Sequence, residues 1–295
     1  MRLIADHVSL TVPATSANLG AGFDSLGLAL ELRDRVTVRA VAGETRVVVR
    51  GEGANTVSRG EDHLIVRAIR IGLEFCGAPQ AGVDLVCHNT IPHARGLGSS
   101  AAAVVVGLAA ARELISEPEA LSDDDILQLA TDLEGHPDNA APALFGGARL
   151  AWTSDRQARS VALNYVEGLT PVALIPPTRA STSGARAALP RTVPHTDAVF
   201  NLQRAALMVV ALQEPEYLLD ATADRLHQPY RWEVVGESLE LIENLRARGI
   251  PAVLSGAGPT VLAFERPEDT LIHALVKHGW RVEPLPVSAG GVRVL

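Results

Sequence analysis

The stretch TIPHARGLGSSAAA, residues 90–103, places Gly96 and Gly98 before Ser99 and Ser100, and these before a run of small apolar residues fit for a helix. It has the form of a phosphate-binding loop. The usual G-x-x-x-x-G-K-S/T pattern needs a lysine, however, and Lys277 is the only lysine in the chain. A helix N-terminus can stand in for that ammonium. Its first N–H groups lack acceptors within the helix, and the macrodipole puts about half a positive charge there. Gly96 and Gly98 let an anion approach backbone that a Cβ would shield. Ser99 and Ser100 add hydroxyls, and Ala101, Ala102 and Ala103 allow close packing behind. A polyphosphate held this way leaves charge neutralisation to a cation such as Mg2+. The same residues also suit a plain strand-to-helix turn capped by a serine.

Downstream, LEGHPDNAAPALFGG (133–147) brings Glu134, His136, Asp138 and Asn139 into six residues, in a small-residue setting that reads as a site wall. Mg2+ favours one or two carboxylates together with phosphate oxygens, which makes Glu134 with Ser99 the candidate metal pair. A third glycine turn, LSGAGPTVLAF (254–264), carries Ser255, Gly256 and Gly258, and a simple hairpin accounts for it equally well.

Around these stretches the pattern is mixed. Strands are expected over 7–13, 35–41, 45–50, 82–89 and 146–152, with helices over 61–76, from Ser99 to about Ile115, and from the acidic cap at 122–125 to about Gly135. Residues 14–27 read as a small-residue loop. The polar run 153–160 marks a boundary between domains 1–155 and 156–295. Beyond it come a strand at 171–176, a helix at 183–189, helices from about 195 to 245, strands at 251–256 and 260–265, a helix at 268–278 and a strand at 280–287. Strands and helices mix without strict alternation, so the fold class is α+β with antiparallel sheet in two domains.

Composition narrows the function classes. At 295 residues, 47% hydrophobic and 20% charged, the chain is globular. Its net charge of −8 and lack of basic runs argue against nucleic acid. The longest apolar run, 101–111, is far short of the ~20 residues of a membrane span. No export signal is visible, so cytoplasm is the expected location. Cys76 and Cys87 fit no ligand spacing and read as reduced, buried thiols. A homodimer is the expectation from general frequency alone.

Taken together, PATSANLGAGFDSLGLAL (13–30), IPHARGLGSSAAA (91–103) and SGAGPT (255–260) resemble, in order and spacing, the three motifs of the GHMP small-molecule kinases. LEGHPDN (133–139) and STSGARAALP (181–190) make the chain similar to the homoserine kinases within them. The resemblance spans nearly the whole chain. It implies a ribosomal-protein-S5-like N-terminal domain and a ferredoxin-like C-terminal domain. It also implies ATP- and Mg2+-dependent phosphorylation of the L-homoserine hydroxyl. Pro92, Arg95, Gly96, Leu97, Gly98, Ser99, Ser100 and Ala101, with Gly256 and Gly258, would then line the nucleotide site. Where relatives carry an asparagine before Leu-Val/Ile, this chain has His63, which can still meet the adenine edge.

The amino-acid substrate fits residue chemistry. Its carboxylate suits the forks of Arg186 and Arg231. Its ammonium suits Asp24 and Asn18. His136, Asp138 and Asn139 would surround the hydroxyl, and Thr182 would meet a phosphate or substrate oxygen. Asn139 stands where related kinases place an aspartate, so orientation by Asn139 competes with Asp138 acting as base. Another kinase of the family, or a ligand sensor on the same fold, are the alternatives.

Overall fold

The computed structural model describes residues 1–4 and 6–295, and the Thr182 side chain lies outside the described residues. β1 (His7–Ala17) and β2 (Leu26–Val41) pair antiparallel along almost their whole length. The register shifts between Pro13 and Ala14, where proline has no N–H to give the ladder. β3 (Arg46–Gly51), α1 (Leu64–Phe75), β4 (Gly82–Asn89), α2 (Ser99–Leu114), α3 (Asp123–Glu134), α4 (Ala140–Phe145), β5 (Ala148–Ser154) and β6 (Gln157–Leu163) follow. Next come β7 (Val172–Ile175), α5 (Thr182–Ala187), α6 (His195–Ala211), α7 (Leu218–Ala221) and α8 (Trp232–Ala247). β8 (Ala252–Leu254), β9 (Val261–Ala263), α9 (Asp269–Lys277), β10 (Arg281–Pro284) and β11 (Arg293–Val294) end the chain.

The first sheet has seven strands in the order β11-β1-β2-β4-β3, with β5 on the N-terminal stretch of β2 and β6 beside β5. β3 runs parallel to β4, and the other pairs are antiparallel. The second sheet, β10-β7-β9-β8, is antiparallel throughout. The α+β reading holds, and several expectations shift. The loop expected over 14–27 shrinks to 18–25, because β1 continues to Ala17 and β2 starts at Leu26. The boundary expected after 155 falls on the turn of the β5–β6 hairpin, so the first sheet's chain runs on to Leu163. β6 looked like a linker because its outward positions are polar. β11 then returns from the far end of the chain to pair with β1.

α2 fixes the depth of the site. It is buried on nearly every side, the mark of a helix apolar all round. Glycines let α1 cross it closely: a Cβ on Gly107 would stand 2.6 Å from the Ala68 Cβ, and one on Gly72 would stand 2.7 Å from the Ala111 Cβ. α3 begins at a capping box, Ser122 with Asp125, behind three acidic residues. It ends at Gly135, whose φ of 87° releases the chain into the HPDN turn. Cys87 is buried, with its thiol pushed up to about 12 by that burial, while Cys76 is only half-buried. Among the described residues, no helix is long and apolar enough to cross a membrane.

Candidate active site

α2 points its N-terminus into a cleft of about 390 Å³ between the two sheets' layers. Gly98 caps the helix with φ of 67°, and a Cβ there would stand 1.8 Å from Thr15 Oγ1. Gly96 is as constrained: a Cβ would meet the Ser255 carbonyl oxygen at 2.2 Å. The third glycine turn therefore braces the first. Ser255 Oγ lies 2.7 Å from the Gly96 carbonyl oxygen and 2.8 Å from Ser16 Oγ, and Thr260 N–H donates to Arg95 O. Gly96, Gly98, Ser99, Ser100, Ala101 and Gly256 line the cleft, while Gly258 packs behind against Leu254.

Three loop residues expected at the nucleotide do other work. Arg95 donates to the carbonyls of Pro176, Pro177 and His93, which ties the loop to the strand end after β7. Leu97 is a core side chain, and Pro92 is buried outside both cavities described here. Arg95→Ala is accordingly expected to cost about 1–3 kcal/mol of stability and to change the KM for nucleotide less than threefold. Thermal melting and a nucleotide titration check this; a large KM effect with an unchanged melting point would reverse the assignment.

On the opposite wall, Ser100 Oγ donates to Glu134 Oε1 at 2.6 Å, and Ser99, the expected partner of Glu134 at a metal, lines the same cleft. Burial pushes the Glu134 carboxyl above its usual range. Asp138 is buried, and its Oδ1 lies 2.5 Å from His136 Nδ1, a bond that raises the imidazole's pKa. Asn139 is held at both ends. Its Oδ1 accepts from Thr15 Oγ1 at 2.8 Å, and its Nδ2 reaches Asp138 Oδ1 at 3.3 Å. That fixes the amide's flip and leaves one Nδ2 hydrogen free toward the cleft. Thr15 was not anticipated. Its only signal is a hydroxyl in a strand end that is otherwise buried.

The remaining wall carries positive charge. Arg231 is 3% exposed; it donates to the Gly256 carbonyl at 2.9 Å, and its Nε has no partner among the described residues. Arg186 makes a two-bond fork with Asp24, at 2.8 and 3.0 Å, joining α5 to the β1–β2 loop. The two groups expected to bind opposite ends of one ligand thus hold each other. Asn18 shapes this loop from φ of 72°: its Nδ2 donates to Gly256 O and its Oδ1 accepts from Asp24 N–H. Both guanidinium groups lie over the Phe23 ring, at 5.6 and 5.7 Å, and that ring stacks on His227. Phe23 and His227 were also missed, being single aromatic residues far apart in sequence. Thr182 opens α5 beside Arg186, and its side chain lies outside the described residues.

A second cavity, of about 320 Å³, meets the first at Ser99 and Ser100. Its walls are largely apolar, from Val12, Val36, Val57, Ile65, Ala103 and Val106. His63 lines it, 6% exposed, with Nδ1 unpartnered; burial lowers its pKa and keeps the ring neutral at physiological pH. One cavity is thus charged and suited to a small zwitterion. The other is largely apolar and suited to a ring, and the N-terminus of α2 lies between them.

The sequence profile of the GHMP kinases N terminal domain matches residues 63–147, which span His63, the glycine loop and the HPDN turn. A protein named homoserine kinase from Streptomyces avermitilis is 47% identical over 294 residues, covering 99% of this chain and 96% of its own. One of the same name from Clavibacter michiganensis is 51% identical over 261 residues, covering 88% of this chain and 82% of its own. Among solved structures, the crystal structure of homoserine kinase from Cytophaga hutchinsonii superposes with a TM-score of 0.85 at 25% identity, covering 99% of this chain and 98% of that one.

Proposed function

Because the chain belongs to the homoserine kinase family of the GHMP kinases, we propose that its two cavities divide a single reaction, transfer of the γ-phosphoryl group of ATP to the side-chain hydroxyl of L-homoserine. The observation that carries this reading is the meeting of a charged cavity and an apolar one at the first turn of α2. The base lies in the apolar cavity and the phosphates run over the backbone amides of Ser99, Ser100 and Ala101. Homoserine occupies the charged cavity, with its carboxylate on Arg231 and Arg186 and its ammonium on Asp24. Glu134 and the neighbouring serine hydroxyls fit a hard cation, since the half-buried carboxylate makes no salt bridge among the described residues and its hydrogen bond comes from a neutral hydroxyl; bound there, Mg2+ would supply charge neutralisation on the phosphates.

Phosphoryl transfer through a loose transition state asks for alignment and charge stabilisation more than for a strong base. Asn139 Nδ2, fixed by Thr15, orients the acceptor oxygen. The hydroxyl proton passes to a phosphoryl oxygen as the new P–O bond forms and the bond to ADP breaks. Asp138 holds His136 by Nδ1, so that Nε2 faces the cleft. Asp138→Asn keeps an acceptor for His136 and is expected to lower kcat about tenfold; a loss beyond a thousandfold would make Asp138 the base.

The reading is tested by ADP release with Mg·ATP against L-homoserine, D-homoserine, L-serine, L-threonine, shikimate and mevalonate. Turnover confined largely to L-homoserine is expected. Turnover on mevalonate or shikimate, carboxylates without an ammonium, would discard the amino-acid pocket and keep the phosphate loop, and nucleotide binding without turnover on any acceptor would favour a sensor.

A further inference from the structure

Asp34 is a carboxylate on the floor of the apolar cavity. It sits directly across from Val12 in the β1–β2 ladder and two residues before Val36, so the three side chains share one face of the sheet, and all three line the cavity. It is 7% exposed. Its Oδ1 accepts from Thr90 N–H at 2.6 Å and from Ile91 N–H at 2.9 Å. Every hydrogen bond it makes among the described residues goes to that one oxygen, and no cation pairs with it. Asp34 is deeply buried, and its second oxygen is open to the cavity with no donor among the described residues, an acceptor left for a ligand to fill. Burial raises its pKa to about 6, which still leaves Oδ2 an ionised acceptor at neutral pH. His63 Nδ1 is a buried polar atom on the same cavity with no partner among the described residues.

We propose that Asp34 reads the nucleobase, with Oδ2 accepting a hydrogen bond from the exocyclic amino group of adenine. This rests on the base lying in the second cavity. The choice of base over sugar follows from the surroundings: Val12 and Val36 flank the carboxylate with hydrocarbon, whereas a sugar belongs nearer the phosphates at Ser99 and Ser100. An N–H acceptor at this point discriminates sharply. Hypoxanthine offers a carbonyl oxygen where adenine offers the amine, so two acceptors would face each other across an apolar slot.

The test is equilibrium binding of ATP, ITP and 2′-deoxy-ATP to the full chain and to Asp34→Asn. In the variant, the Thr90 and Ile91 amides keep Oδ1 in place and force Nδ2, a donor, into the cavity. The wild-type protein should bind ATP at least tenfold more tightly than ITP, an arm that needs no variant to fold. Asp34→Asn should lose at least tenfold for ATP and reverse the order in favour of ITP. Equal changes for ATP and ITP, or an unchanged preference for ATP, would overturn the proposal. So would a loss seen with ATP and absent with 2′-deoxy-ATP, which would place Oδ2 at the sugar. Ala103→Leu, which fills the cavity from α2, tests the premise separately: it should weaken ATP and ITP alike. No effect from that filling would remove the cavity reading and the proposal together, whereas a filling effect with an unchanged base preference in Asp34→Asn would remove the proposal alone.

Discussion

Glu134→Gln is expected to slow turnover at least a hundredfold and at the same time to raise the melting temperature. The two effects have one cause. Burial raises the Glu134 carboxyl from its ordinary value of 4.5. A carboxyl raised in the folded state favours folding in its protonated form. That contribution is full below the unfolded pKa near 4.5 and is lost as pH rises through the folded value. At neutral pH the charge therefore weighs against the fold. Glutamine keeps an oxygen for Ser100 Oγ and removes the charge. The melting advantage should accordingly shrink as pH falls through the raised folded value and be gone below about pH 4.5. Losing one preorganised electrostatic group, such as an oxyanion-hole donor, costs about 10²–10³ in rate, and the loss of a cation-holding carboxylate is expected to be of that order, with the Mg2+ concentration for half-maximal rate raised. Melting curves at pH 4 and 7.5, beside a magnesium titration of kcat, check both halves. A variant that is slower and also less stable would show that Glu134 is mainly a structural partner of Ser100.

Arg231→Met is expected to raise the KM for homoserine roughly 10- to 150-fold with kcat changed only severalfold, the equivalent of about 1.5–3 kcal/mol for a lost charge-assisted hydrogen bond. The substitution leaves little damage behind. The Gly256 carbonyl that Arg231 serves also accepts from Asn18 Nδ2 at 2.9 Å, so no buried acceptor is orphaned. Methionine fills the stem's volume beside Phe23. Arg231→Lys should not rescue, because the unpartnered Nε and its neighbour present a planar fork that an ammonium cannot copy. An unchanged KM for homoserine, with the melting point also unchanged, would remove Arg231 from the substrate pocket.

The loop and helix at 96–114 were legible because glycines, serines and alanines in that order have few other uses. α3 was legible from its acidic cap. The first residues of β2 were not: LGLAL (26–30) is buried on both faces, and small residues around it made it look like loop. Chemistry that depends on distant partners was also hidden. Asp24 and Arg186 are 162 residues apart, and Ser255 and Gly96 are 159 apart. Asp34 did leave a trace, an acid at an inward position of LRDRVTV, two and four residues before the core residues Val36 and Val38. Parity along a strand points to such a residue, but only once the inward face is known.

The fork between Asp24 and Arg186 has the charge pattern of an amino acid's head group, one carboxylate and one cation in contact. With homoserine bound as proposed, the substrate would swap partners with it, anion for anion and cation for cation. Asp24 and Arg186 are themselves half-exposed, so the fork weakens as salt is added, and the pairs that would replace it weaken with it. Binding of the substrate should therefore depend little on ionic strength, and molecules bearing only one of the two charges should be refused because they strand the other half of the fork.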